Sequence, residues 1–329
     1  MIGSSRERRA VVRTLAPLLI VLALGCVFHG HGAFFDWQTH RAMLREISVH
    51  GILACGMTVV IVTAGIDLSV GSVLALSALS FATFLLPWSW PGWVAVLAVL
   101  ALGGAAGAIS GVLVAFSRIQ AFVVTLAMMV FARGLAKLWS GGQKVSTYYQ
   151  RADGTFVSLP EPALFDLIDA RVLGDNLSVV TLVFFACALS TRLVLRRLYL
   201  GRYLYAVGGN LEAARLSGVP VKGTLVFAYA LSGLFAAVAG VCQAAQETHG
   251  DPETGLGYEL DAIAMVVLGG TSLAGGRGGV GLTLVGALTL GYLQKILSIN
   301  AYSTEARLML TGAILIAAVL FQRRFGIDP

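Results

Sequence analysis

The chain has 329 residues; 57% are hydrophobic, only 12% are charged, and the net charge is +6. Soluble domains carry about 25% charge, and one folded core cannot hide this much apolar surface from water. The composition excludes a soluble enzyme, a disordered chain and a secreted disulfide scaffold, and it leaves a protein that crosses a membrane several times.

Residues 1–14 hold Arg6, Arg8, Arg9 and Arg13 and lead into an apolar run from Leu15 to Phe28. The outline is that of a signal peptide, but apolar runs continue along the whole chain, so a retained first span is the expectation. A hydrocarbon core about 30 Å thick needs roughly 20 helical residues. Runs of that kind fall at 15–34, 47–64, 70–87, 93–116, 119–138, 177–195, 224–244, 258–270, 280–297 and 304–322. They predict an all-α, polytopic membrane fold of about ten transmembrane helices, some of them broken. The pair 47–64 and 70–87 is split only by Gly65-Ile66-Asp67-Leu68-Ser69. The run 258–270 is short and opens with Glu259 and Asp261, as a broken helix or one starting in an aqueous vestibule would.

Charge sets the orientation. With the N-terminus inside, ten spans put both ends in the cytoplasm. Fourteen of the 23 cations then lie inside: Arg6, Arg8, Arg9, Arg13, Arg118, Arg192, Arg196, Arg197, Arg202, Arg215, Lys222, Arg277, Arg323 and Arg324. Most acids, among them Asp153, Glu161, Asp166, Asp169, Asp175, Glu247, Asp251 and Glu253, fall outside. This asymmetry supports N-in, C-in; Arg41 and Arg45, placed outside, run against it. A single transmembrane domain fills 1–329, with an N-terminal segment 1–14, an irregular outer loop 139–176 and a basic inner loop 196–223.

Cys26, Cys55, Cys187 and Cys242 each sit in an apolar run without CxxC spacing, and they read as small buried hydrophobes. His29 and His31 form an HxH pair with no further ligand at motif spacing, so no metal site is expected. No catalytic set is visible. None of the four lysines follows a glycine and precedes Ser or Thr, so there is no Walker A motif. If ATP drives this protein, another subunit binds it.

Four stretches carry information. In Thr63 to Gly71, Asp67 is an acid among apolar residues, costly in a membrane unless paired, buried in protein or near water. Asp67 and Ser69 can cap the following helix. Two readings stand: a capped helix break, or a group on the solute path or its gate. Gly103, Gly107 and Gly111, spaced by four, form a small-residue face for close helix packing. In the inner loop, Asn210 suits an N-cap and Gly218 a C-cap around a helix Leu211–Leu216. Its Glu212, Ala213, Ala214 and Arg215 fit either a docking surface or a plain interfacial helix. The run Leu268 to Gly279 leads into GxGxxG at 276–281. It lies between apolar spans with no acid about 20 residues on, so a dinucleotide site fails and a glycine-rich turn remains. Gln243, Gln246, Glu259 and Asp261 are further polar groups at helix breaks or vestibule edges. A weak internal echo links Met57 to Gly71 with Met265 to Gly276, the kind of paired interruption that marks transporters built from repeats.

The stretch Gly56-Met57-Thr58 through Gly65-Ile66-Asp67-Leu68-Ser69-Val70-Gly71-Ser72 resembles the signature of permease subunits of bacterial ABC sugar importers, a group that includes ribose, xylose, arabinose, galactose and autoinducer-2 systems. Ala206 to Asn210 with Ala213 to Val219, Tyr229 to Gly233, and Leu268 to Gly278 resemble the same family in the same order. The resemblance implies a monosaccharide or similar small polyol as cargo. It also implies a second permease copy or a related permease, a periplasmic sugar-binding protein, and an ABC ATPase subunit or fused tandem ATPase carrying the ATP and Mg. This chain then needs no cofactor of its own, binds no nucleic acid, and spans the bacterial cytoplasmic (inner) membrane among its lipids. Residues 139–176 become a periplasmic loop, and 196–223 a cytoplasmic coupling loop in which Gly209, Asn210, Glu212, Ala213, Ala214, Arg215 and Gly218 meet the ATPase. The competing expectation is a self-sufficient secondary transporter or channel for a small polar solute, with Asp67 as the ion-coupling group.

Overall fold

A computed structural model describes residues 5–117, 119–150, 154–303, 305–313 and 316. The chain is mostly helical: α1 Ser5–Val27, α2 Trp37–Val62, α3 Val70–Leu85, α4 Gly92–Phe116, α5 Ala121–Ser140, α6 Ala163–Asp169, α7 Val179–Arg197, α8 Tyr199–Gly209, α9 Leu211–Leu216, α10 Val221–Glu247, α11 Tyr258–Leu268 and α12 Val280–Ile299. Residues 305–313 are helical as well; nine of the 19 residues of the expected span 304–322 lie outside the described residues. Among these helices, α2, α4, α5, α7, α10 and α12 are long and apolar enough to cross a membrane, with shorter apolar stretches at Leu15–Val27 and α3.

Helix α3 is the axis of the bundle, buried from Val70 to Leu85. A helix surrounded by protein needs no polar face. Two of its hydroxyls turn onto their own backbone: Ser80 donates to the Leu76 carbonyl (2.6 Å) and Thr83 to that of Leu79 (2.8 Å). The inner half of α2 is buried nearly all round. By contrast α4 and α5 expose Trp93, Leu97, Phe116, Phe122, Val130 and Phe131 on their outer sides, apolar faces suited to lipid.

The glycine face of α4 packs on α10. A Cβ on Gly103 would strike Ala237 and the Gly233 carbonyl, on Gly107 the Tyr229 backbone, and on Gly111 the Val226 backbone at 2.7 Å. Only hydrogen at these positions lets the two backbones approach so closely.

Four expectations need revision. Helix α2 starts at Trp37, not near Ile47. Asp36 caps it by accepting from Gln38 N (2.9 Å), and its first turns stay polar because Arg41 pairs with Asp175 (3.1 Å) and Arg45 with Asp169. Those two arginines, the exceptions to the charge asymmetry, are thus neutralised by the 139–176 segment. That segment is not simply irregular. It holds α6 and, within it or reaching out of it, three two-stranded antiparallel ladders: β1 Val145–Ser146 with β6 His249–Gly250, β2 Tyr148–Gln150 with β3 Phe156–Ser158, and β4 Arg171–Val172 with β5 Leu177–Ser178. The inner loop 196–223 carries a second helix, α8, whose Leu204 and Val207 are buried. Of the cysteines, Cys55, Cys187 and Cys242 are buried, but Cys26 is exposed on α1.

Candidate functional site

The interruption between α2 and α3 is built as a locked turn. Ala64 adopts a left-handed conformation (φ 63°), and Gly65 N returns to the Val60 carbonyl at 3.2 Å. A side chain on Gly65 would strike the Tyr229 hydroxyl. Asp67 is fully buried. Its Oδ1 accepts from Ser69 N (3.0 Å) and Ser69 Oγ (2.6 Å), and its Oδ2 from Ser232 Oγ on α10 (2.8 Å). Thr125 of α5 donates to the neighbouring Ile66 carbonyl (3.1 Å). A carboxylate removed from water needs such donors. The arrangement is that of a bolt: it closes the turn before α3 and ties it to α10, with no opening onto solvent in this conformation; Ser69 occupies the N-cap of α3, but its hydroxyl serves Asp67 and no side chain caps the helix.

The same end of the bundle carries α8, α9 and the glycine-rich segment 269–279. Asn210 Oδ1 accepts from Ala213 N (2.9 Å), which caps α9. Gly218 takes the left-handed conformation (φ 80°) that closes it. Glu212 and Arg215 pair with each other at 2.8 Å and stay about two-thirds exposed, at 64% and 66%; Ala213 is exposed and Ala214 buried. Behind α9 three chain ends meet. Gly276 N donates to the Val62 carbonyl (2.9 Å). Gly208 lies so close to Val62 that a Cβ would overlap its carbonyl oxygen. The Tyr205 hydroxyl donates to the Gly278 carbonyl (2.8 Å). The two interrupted segments of the internal echo therefore touch, with α8 clamped over both. A recess of about 490 Å³ opens beside this junction, between Thr63–Ala64, Ile119–Gln120 and Val207–Leu211. The sequence reading missed α8, although its Tyr205 and Gly208 make the contacts that join α9 to the bundle.

The four remaining polar candidates do not all share one site. Asp261 on α11 faces His50 of α2 at 3.5 Å, and Gln243 reaches Glu247 at 2.7 Å. Glu259 reaches towards Gly71 and the Arg133 guanidinium. Gln246 Nε2 is enclosed without a hydrogen-bond partner among the described residues. Cations of α5 and of the loop after it hold the strand-to-helix segment 251–257, whose Gly255 packs on Gly71 at the start of α3. Arg133 donates to the Pro252 and Thr254 carbonyls (2.6 and 2.7 Å), Lys137 pairs with Glu253 (2.6 Å) and Lys144 with Asp251 (2.9 Å). The Asp251 hydrogen bond holds the Lys144 ammonium above its ordinary pKa. His29 serves a turn, its Nδ1 accepting from Gly32 N at 2.9 Å.

Residues 41–319 match the family described as the permease component of branched-chain amino acid transport systems. The chain is 40% identical over 314 residues to the ribose import permease protein RbsC of Escherichia coli (strain K12), covering 95% of this chain and 93% of that protein. It is 35% identical to RbsC of Bacillus subtilis (strain 168) over 86% of this chain and 84% of the relative. It is 37% identical to the L-arabinose transport system permease protein AraH of Escherichia coli (strain K12), over 88% and 84%. No solved structure matches it.

Proposed function

Because this chain belongs to the family of transport-system permease components, we propose that it is the membrane subunit of an ATP-driven importer carrying a monosaccharide or similar small polyol across the bacterial cytoplasmic membrane. The chain is no enzyme; hydrolysis of ATP belongs to a partner ATPase. Relatives named for ribose and for L-arabinose support a sugar as cargo. In this reading the chain is one transmembrane domain of about ten spans, N-in and C-in. Residues 1–14 and 196–223 are cytoplasmic and 139–176 periplasmic. Two such subunits, alike or related, pair in the membrane and receive sugar from a periplasmic binding protein.

The observation that carries the mechanism is the junction behind α9. An exposed, doubly capped helix presents Glu212 and Arg215 outward, while α8 fastens its base to the end of α2 and to the loop between α11 and α12. A force applied by the ATPase at Gly209, Asn210, Glu212, Ala213, Arg215 and Gly218, with Ala214 as the buried footing, passes to two helix interruptions at once. One is the Asp67–Ser69 break and the other the start of α12. Moving these packed elements as bodies switches the path between its two sides, because packed cores are bistable rather than continuously deformable. Gln243, Gln246, Glu259 and Asp261 lie on helices moved by that switch. Asp67, enclosed by three donors, transmits the motion as a joint, and Gly103, Gly107 and Gly111 keep α4 and α10 moving as a unit.

Transport in vesicles tests the reading. The complex of permease, ATPase and loaded binding protein should import sugar with ATP, and vesicles lacking the ATPase should not. Uptake by this chain alone would show it to be a self-sufficient transporter.

A further inference from the structure

Six polar side chains form a row between α2, α10, α11 and α12 that neither the Asp67 bolt nor α9 uses. Gln243 bonds Glu247 one turn further along α10 and lies beside Tyr258 at the start of α11. The Tyr258 ring lies against the His50 imidazole, with centroids 4.1 Å apart and planes tilted by 37°. His50 Nε2 faces Asp261 Oδ2 at 3.5 Å, and Gln294 of α12 lies beside Asp261.

His50 sits midway along α2, so the row lies at the depth of hydrocarbon. Ionisable groups there turn to the bundle interior or to water. The row is not sealed in protein either: the side chains of His50, Asp261 and Glu247 keep 15%, 25% and 33% of their exposure. A lipid-facing wall and a closed packing network are both poor fits to that combination. The chemistry suits a polyhydroxylated solute. Carboxylates accept from hydroxyls, carboxamides and imidazole both donate and accept, and an aromatic face covers the C–H side of a ring.

We propose that His50, Tyr258 and Asp261, extended by Gln243, Glu247 and Gln294, form a hydroxyl-exchange station on the translocation path for a neutral polyhydroxylated solute. The inference rests on the importer reading above. Each hydrogen bond within the row is replaced by one to a passing hydroxyl, so the solute sheds water without being held tightly, as passage requires. Asp261 and Glu247 repel anions of similar size.

The test uses the complete importer in proteoliposomes with radiolabelled ribose or arabinose. Replacing the carboxylate in Asp261→Asn should lower sugar moved per ATP hydrolysed about tenfold, the scale of a lost hydrogen bond to a charged group. ATPase stimulation by the loaded binding protein should stay within about twofold, since the change lies away from the coupling junction. An equal fall in both rates would mark Asp261 as structural and overturn the proposal. A second arm avoids dependence on that variant. Tyr258→Cys should react with a membrane-impermeant thiol reagent, and the rate should change when vanadate traps the ATPase. Absence of labelling in every nucleotide state, while Asp175→Cys reacts, would overturn the station. Uptake of sugar without ATPase would sink the importer reading separately, and the labelling would still judge the row.

Discussion

Two carboxylates sit at helix interruptions in this bundle, and their surroundings differ. Asp67 is enclosed and takes three hydrogen bonds from Ser69 and Ser232. Asp261 faces a histidine and a carboxamide and keeps a quarter of its side chain open. In sequence they look alike, as acids in apolar runs broken by glycine. The difference teaches that partners and burial, rather than sequence context, decide what an intramembrane acid can do: in our proposal the enclosed Asp67 is a joint and the partly open Asp261 a place for a solute.

The contrast can be broken by substitution. The largest effect is expected from Asp67→Ala. It leaves the Ser69 and Ser232 donors buried without an acceptor, at about 1–3 kcal/mol each. The yield of folded protein and its melting temperature in detergent should collapse, whereas Asp67→Asn, which keeps an oxygen acceptor, should lose much less. An unchanged melting temperature for Asp67→Ala would remove the joint. Next comes Gly208→Ala, whose methyl would overlap the Val62 carbonyl oxygen. Overpacking of this kind costs about 1–3 kcal/mol. ATPase stimulation by the binding protein should fall with it, more than for Gly209→Ala, where nothing lies near the new methyl.

Exchange of the α9 charges in the double variant E212R/R215E separates docking from folding. The pair can re-form with reversed polarity, and an exposed pair is worth only about 0–1 kcal/mol. The melting temperature should hold while ATPase binding is lost; full coupling in that variant would exclude α9 as a charged docking surface. The smallest effect is expected for Lys137→Ala. Its partnership with Glu253 is about half exposed on both sides, which limits the loss to about 0–1 kcal/mol and leaves the segment 251–257 held by Arg133. A shift in melting temperature as large as that of Gly208→Ala would show that the lysine does more.

Much of this architecture is legible from sequence because the bilayer imposes a strong length rule. The long apolar runs became α4, α5, α7, α10 and α12, close to their expected bounds. Local chemistry also reads well: Asn210 and Gly218 bracket α9 where capping rules place them, and the glycines of α4 meet α10. Tertiary pairing did not read. The start of α2 at Trp37 depends on Asp169 and Asp175, more than a hundred residues away, to neutralise Arg45 and Arg41. Helix α8 was hidden because its glycines answer to Leu195, Val62 and Gly276 rather than to a local turn. His50 was overlooked in the run 47–64, although an ionisable residue among apolar ones was the same signal that singled out Asp67. Its meaning came only from Tyr258 and Asp261, which lie far along the chain.

The most direct measurement is sugar uptake by vesicles in which the ATPase is present but the α9 surface is reversed by E212R/R215E. If this chain is a permease worked through α9, wild-type vesicles import sugar with ATP, and the reversed variant, equally folded, neither binds the ATPase nor imports. Import at the wild-type rate by the variant, or import by the wild type without any ATPase, would contradict that claim.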